Sequence, residues 1–542
     1  MSILKTAIRC ALAAAAAGAA ANSASALNVS TYNAATAVNV YLSGSTAVDN
    51  TVLNAAIETA APFGLCTAGT IDVYFIGTTG SYTNRLILCT GSASSGASGS
   101  TLAIFKESNV GSSNGVQPLY TYAGGAASGL TFINPGAISN ALCAGADGGA
   151  VAASGNLGAY TAHSSCPTSA ITLTAVPTAG FSDVEAAILK TAAGAPENTT
   201  LTTKYLTSAG TLDQVWALAM TKNAYYALQA AEGYASPSDL PANAPSLSHE
   251  QVAGLVSGNI FNWNDLGLFP ADSSVYICRR DTGSGTEASH EYEWLGERCG
   301  LSDLAVPAEG DPVWANASGG KVRTCLQTMF SGGTQTAYYS TSSPQSKTFP
   351  AGNQYAIGFL NDEIKLKDLT GAGDSFRFPA IDGAGPTVAN VQNGSYQYFS
   401  TGVAYTIKTG TGTLGLGGAG TGNSAASKAV VTALVGPAGK LGHPQFTSDS
   451  NANYNGILPW SPTESVGDMS PAPLYALSNT PTNPATSATA AANPTNPYTK
   501  NTSGSVNNCD MPTWDSADLE GVVPTTVQKG LLGTGAAGAV ND

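Results

Sequence analysis

The chain is 542 residues long, room for about two to four domains at the usual ~100–200 residues each. Charged residues make up 10% of it, against roughly 25% in an ordinary soluble protein, and 21 Lys and Arg against 35 Asp and Glu leave a net charge of −14. That balance excludes a basic nucleic-acid surface and docking on an anionic membrane, while 43% hydrophobic residues exclude wholesale disorder.

Residues 1–26 read as a signal peptide. Lys5 and Arg9 form a short positive region, residues 10–21 are apolar but too few to span a bilayer, and Ala24-Ser25-Ala26 fits the small-residue cleavage rule. Cleavage would leave Leu27 first and a net charge of −16. Cys10 opens the apolar run, which is not the place of a lipid-attachment cysteine. No later apolar run is long enough for a transmembrane helix. The expectation is an exported, soluble protein, periplasmic or secreted.

Residues 36–60 read as strand, turn and helix: Val38-Asn39-Val40-Tyr41-Leu42 is rich in β-formers, Ser43-Gly44-Ser45-Thr46 turns, and 48–61 has helical spacing. Strand-like runs recur at 71–76, 85–88 and 101–105. Residues 120–180 are rich in Gly, Ala and Ser and read as an inserted loop or hairpin region. The apolar stretch 215–220 leads into a helix over 224–232. A helix over 248–257, a strand over 275–278 and a helix from about Thr286 follow. The alternation points to α/β layers with largely parallel sheets. Residues 409–424 are Gly- and Thr-rich, and 470–508, rich in Pro, Thr, Asn and Ala, read as a loosely packed surface tail.

Eight cysteines remain after cleavage: Cys66, Cys89, Cys143, Cys166, Cys278, Cys299, Cys325 and Cys509. An even count in an exported chain favours disulfides, with on the order of a hundred pairings open. Cys66 with Cys89 and Cys143 with Cys166, each 23 apart, are the expected local pairs. There is no CxxC, and His163, His249, His290 and His443 lack ligand spacing, so neither a metal nor a cofactor is expected.

Four hydroxyl-rich turns carry the chemistry. Arg280-Asp281-Thr282-Gly283-Ser284-Gly285-Thr286-Glu287 lies between a strand and a helix. Such a turn presents N–H groups at a helix N-terminus, the Ser284 and Thr286 hydroxyls add donors, and Arg280 can clasp two oxygens. The plainer reading is a capping box from Ser284 to Glu287, and both readings can hold together. Ser43-Gly44-Ser45-Thr46-Ala47 and Gly111-Ser112-Ser113-Asn114-Gly115 are two more turns. Gly180-Phe181-Ser182-Asp183 precedes Val184-Glu185, where Ser182 and Glu185 make a second capping box and Asp183 a first-turn acid.

In this order the four turns resemble the phosphate-contact segments of the periplasmic phosphate-binding proteins that serve ABC transporters. Ser257-Gly258-Asn259-Ile260-Phe261-Asn262-Trp263-Asn264-Asp265, Ala356-Ile357-Gly358-Phe359, and the stretch from Ile381-Asp382-Gly383 through Thr387 to Asn393-Gly394-Ser395-Tyr396 also resemble that family. The likeness runs from about residue 38 to about 435. It implies a type II periplasmic-binding-protein fold: two α/β lobes on a hinge, closing on phosphate. It places lobe 1 at 27–214, with an insertion at about 116–179, and again at 399–445. Lobe 2 takes 215–398, and a C-terminal extension 446–542. Crossings fall near Ala217 and Phe399. The implied phosphate contacts are Thr46, Ala47, Ser112, Asp183, Arg280, Ser284, Gly285 and Thr286. The implied partners are phosphate and an ABC transporter permease, with no nucleic acid, no membrane insertion and a monomeric, non-enzymatic chain. This sequence departs from the family in having Thr282, not an acid, two residues after the arginine, which leaves the orienting partner of Arg280 open.

Three other readings compete. Residues 111–115 formally match the G-x-S-x-G nucleophile elbow, with His443 downstream. Gly410-Thr411-Gly412-Thr413-Leu414-Gly415 matches a dinucleotide fingerprint without a βαβ unit around it. Low charge, an insertion and a tail also suit a binding-protein fold recruited to an extracellular structural role.

Overall fold

A computed structural model describes residues 27–435 except 59–63, 79–80, 109–110, 147, 154–156, 192, 194, 240–242, 297–298, 300–310, 338–344, 353, 362–374, 387–389, 392–393 and 409–423, together with 470–471, 498–499, 501–502, 505–509 and 513–514. The signal-peptide segment, Thr387, Asn393, the 410–415 glycine run, His443 and most of the extension lie outside the described residues.

Strand formation follows the apolar runs. In chain order the main strands are β1 (Val38–Gly44), β2 (Asp72–Thr78), β3 (Ser81–Thr90), β4 (Thr101–Glu107), β5 (Tyr160–Cys166), β6 (Ala179–Ser182), β7 (Leu206–Thr221), β8 (Asp272–Arg280), β9 (Val313–Asn316), β10 (Gln354–Asn361) and β11 (Phe399–Ile407). They line up as β9-β8-β10-β7-β11-β6-β1-β4-β3-β2-β5 in one sheet. Its first half is covered on both faces. Val40, Leu42 and Ile104 point into one apolar cluster, and Tyr41, Ala103 and Phe105 into another. This is why these strands read as unbroken apolar runs rather than alternating ones. The second half repeats the device: Val275 and Ile277 pack on one side, Tyr276 and Cys278 on the other.

The sheet is mixed rather than largely parallel. β1 runs parallel to β4 and β6, and β8 parallel to β9 and β10. The β2-β3-β4 meander and the long strands β7 and β11 are antiparallel. Among the described residues the connections from β2 to β3 and from β3 to β4 carry no crossover helix, and a parallel return needs a long crossover.

Two α/β lobes result, joined at β7 and β11. β7 pairs with β11 from Leu206 to Val215 and with β10 from Trp216 to Met220, so it changes lobe between Val215 and Trp216, opposite Phe399. Trp216 is fully buried there. Its backbone N–H donates to the Tyr398 carbonyl (3.1 Å), its indole Nε1–H to Ser400 Oγ (2.8 Å), and Tyr396 Oη to its carbonyl (2.7 Å). Ser400 Oγ donates onward to the Asp183 carbonyl (2.9 Å).

The main helices flank these strands: α1 (Asp49–Ile57), α2 (Gln117–Ala123), α3 (Lys222–Ala231), α4 (His249–Val256), α5 (Gly285–Leu295), α6 (Gly319–Ser331) and α7 (Ala425–Val435), with a further short helix at Thr199–Tyr205. Among the described residues no helix is long and apolar enough to cross a membrane. The insertion region holds α2, an antiparallel pair of strands (Leu130–Ile133 with Ile171–Ala175) and β5. β5 extends the main sheet beside β2.

Four disulfides form: Cys66–Cys89, Cys143–Cys166, Cys278–Cys325 and Cys299–Cys509. The two local pairs are those expected. The fourth corrects the picture of a loose tail. Asn508 is buried, and Val506 and Cys509 pack against the cluster containing Val184, Leu189, Tyr292 and Tyr405. A second correction concerns 182–188, where no helix begins. Ser182 Oγ accepts from the Val184 N–H (3.3 Å), and Glu185 is occupied by Asn508 rather than by a capping box.

Candidate functional site

The four hydroxyl-rich turns converge where the lobes meet. Close backbone approach makes this possible. Gly44, at φ +93°, and Gly115 each lie so near the Phe181 carbonyl that a Cβ on either would sit 2.0 Å from its oxygen. Only glycine, with no Cβ and free access to positive φ, fits there.

The first turn leaves β1 at Gly44. The Ser45 N–H donates to the Phe181 carbonyl (2.9 Å), the Ala47 N–H donates to Ser45 Oγ (3.0 Å), and Ser45 Oγ donates to Asp183 Oδ1. Thr46 is half-buried, and its hydroxyl bonds to none of the described residues. The turn is braced from beneath by Lys106, a buried ammonium at the end of β4. Its Nζ donates to the carbonyls of Gly44 and Ser45 (3.0 Å each) and to Ser108 Oγ (2.7 Å), and pairs with Asp49 (3.0 Å). A buried ammonium needs this complete set of partners.

The second turn is a 3-10 segment, Ser112–Gly115. Ser112 Oγ donates to Asp183 Oδ2 and accepts the Asp183 backbone N–H, both at 3.0 Å. Asp183, third in the set, is buried. Burial pushes its carboxyl above the ordinary carboxylate range, opposed by the two serine donors and by the positive charges of Arg280 and Lys106.

The fourth segment comes from the other lobe. Ser284 caps α5 by accepting the Glu287 N–H, and Gly283 reaches across to accept the Ser113 N–H (3.0 Å). Gly285 abuts Asp183 and Ser112 so closely that a Cβ would lie 2.4 Å from Asp183 Oδ2 and from Ser112 Oγ. Arg280 is buried and oriented by backbone carbonyls rather than by an acid. Its Nε donates to Asn316 O and its Nη2 to Ala317 O, both at 3.2 Å, with Asp281 Oδ1 3.9 Å from Nη2. Its Nη1 has no partner among the described residues, nor do the N–H groups of Gly285 and Thr286 or the Thr286 hydroxyl. The Glu287 side chain turns away from a reciprocal box to pair with Arg279 (3.2 Å). Burial raises the Glu287 carboxyl well above its usual range and holds buried His290 well below the usual imidazole range.

All four segments with candidate contacts are therefore brought together. Sequence reading passed over two participants. Ser45 lies in the turn from which the resemblance implies only Thr46 and Ala47, and it bonds to Asp183. Lys106 and Glu107 end the otherwise uncharged strand β4, a signal that was available. Ser113, the central serine of the G-x-S-x-G pattern, is buried with no partner for its Oγ among the described residues, and His443, its candidate base, lies outside them. Among the described residues no cluster of His, Cys, Asp and Glu has metal-ligand geometry.

No family model matches this chain, and no curated protein matches it. Solved structures do match. A Clostridium perfringens chain, named as a phosphate ABC transporter substrate-binding protein and solved with bound phosphate, is 15% identical, with 73% of this chain and 93% of that one covered at a TM-score of 0.34. An ABC-type phosphate transport receptor from Vibrio cholerae is 13% identical, with 68% and 88% covered at 0.31. PstS from Borrelia burgdorferi is 11% identical, with 68% and 86% covered at 0.28. At such scores the ligand must be argued from this chain's own residues.

Proposed function

We propose that this is an exported solute-binding protein that holds inorganic phosphate between its lobes and passes it to an ABC transporter permease. One observation carries the reading: donors without partners among the described residues, Arg280 Nη1, the N–H groups of Gly285 and Thr286 and the Thr286 hydroxyl, lie around a buried carboxylate, Asp183. Donors at a helix N-terminus with an arginine fork suit a tetrahedral oxyanion. The carboxylate selects among oxyanions. Hydrogen phosphate and dihydrogen phosphate both carry an O–H that an ionised Asp183 can accept near neutral pH. Sulfate carries none and would face an unrelieved charge, so rejecting it by a thousandfold or more corresponds to ~4 kcal/mol.

Calorimetric titration with phosphate, sulfate and arsenate tests the ligand. Phosphate and arsenate should bind and sulfate should not. Arg280→Ala should lower phosphate affinity by at least about tenfold, the scale of a lost charge-assisted hydrogen bond, and Arg280→Lys should restore only part of it, because a point charge cannot reproduce the fork. Unchanged affinity in Arg280→Ala would remove phosphate from this turn.

A further inference from the structure

The extension returns to the hinge twice. Residues 470–471 pair with Leu212 and Asp213 of β7, beside the bulge that interrupts its register with β11. Further on, short antiparallel pairs (Tyr498–Thr499 with Thr513–Trp514, and Asn501–Thr502 with Ser505–Val506) fold the chain into a small braced knob. Two adjacent residues of that stretch, Asn508 and Cys509, anchor it, one to each lobe.

Its lobe 1 anchor is Asn508, 1% exposed. The Asn508 backbone N–H donates to Glu185 Oε1 (2.9 Å) and its side-chain Nδ2 to Glu185 Oε2 (2.6 Å) and to the Thr401 carbonyl (3.1 Å), while its Oδ1 accepts the Thr401 N–H (2.8 Å). Asn508 thus stands in for a strand neighbour on β11 and grips the segment that follows Asp183. The lobe 2 anchor is covalent: Cys509 joins Cys299, four residues past the end of α5, the helix whose N-terminus carries Ser284, Gly285 and Thr286. Around the strap the lobes already touch. Lys190 pairs with Glu291 at 2.9 Å, Tyr292 Oη donates to the Phe399 carbonyl (2.9 Å), and Ala288 and Tyr292 of α5 share one apolar cluster with Val184, Leu189 and Val403.

We propose that residues 505–509 are a covalent strap that holds the two lobes together without ligand, so that the protein releases its ligand slowly. Separating α5 from the Asp183 segment requires breaking either the Cys299–Cys509 bond or the buried Asn508 contacts. A tether of this kind raises the effective concentration of one surface at the other, and it shifts the open–closed equilibrium because it engages both lobes only in the closed arrangement. The slow release rests on the solute-binding reading; the geometry of the strap does not.

Two variants cut the strap's two attachments separately: the double substitution Cys299→Ser with Cys509→Ser, and Asn508→Ala, which leaves the disulfide in place. Small-angle scattering of the phosphate-free full chain is the primary measurement, with circular dichroism to verify folding. Wild type should have the same radius of gyration with and without phosphate. Both variants should expand without phosphate and contract on adding it, and stopped-flow release of phosphate should be at least tenfold faster than in wild type. Phosphate-free variants as compact as wild type would overturn the strap. If none of the proteins binds phosphate, the ligand assignment fails, while scattering without ligand still decides the strap.

Discussion

Asp183 sits among donors, yet burial dominates its ionisation, so the folded protein holds its proton more tightly than the unfolded chain does. The stability this group contributes is complete below the ordinary value of 3.8 and is lost as pH rises through the raised folded value. Asp183→Asn removes that loss. In thermal melts without ligand, the variant should be more stable than wild type at pH 7, and the gap should close as pH falls toward 4. A gap that does not change with pH would mean the carboxyl behaves as if solvated. In competition binding the same variant should lose much of its preference for phosphate over sulfate, since an amide can donate to a bare oxygen. An Asp183 that only capped a helix would leave that ratio unchanged, and the absence of a helix at 182–188 removes that role. The sequence showed the hydroxyls and the acid but not their pairing, because Ser45 and Asp183 lie 138 residues apart and meet only through β1 and β6.

α5 is the element that brings the second lobe to the site, and Gly285 is where it touches. Alanine is favoured over glycine in a helix by roughly 1 kcal/mol, so Gly285→Ala should preserve the helix. Its methyl group would nonetheless collide with Asp183 and Ser112 at 2.4 Å. The expected result is a folded protein with phosphate affinity more than tenfold lower by calorimetry; normal affinity would show that the lobes bind without this contact. Gly115→Ala differs in kind, because its clash is with the Phe181 carbonyl inside one lobe, and it should lower the melting temperature itself. At this scale the sequence was most legible. Apolar runs located β1, β4 and β8, and Ser284 marked the start of α5. It misled at Ser182-Asp183-Val184-Glu185, whose capping pattern is real but is overridden by Asn508, 323 residues beyond Glu185. Local patterns cannot report a partner supplied from so far along the chain.

Across the whole molecule, long-range closure is what the sequence hid. The pairs separated by 23 residues were readable as local loops, whereas Cys299–Cys509 spans 210 residues. Mass spectrometry after alkylation without reductant should find no label on any of the eight cysteines from Cys66 to Cys509, and a labelled Cys509 would contradict the anchored tail. The two lobes followed from the resemblance of the ordered turns, while the alternation of apolar runs and helices gave only α/β layers; the antiparallel long strands were not legible, since direction leaves no mark in composition. One feature of those strands has a practical consequence. The Trp216 indole is buried where β7 changes lobe, one hydrogen bond from Ser400 and two from the Asp183 carbonyl. Rotation of one lobe against the other changes the electric field across that ring, so a variant that keeps Trp216 as the sole one of the six tryptophans would carry a fluorophore at the pivot whose emission follows lobe motion without an added label.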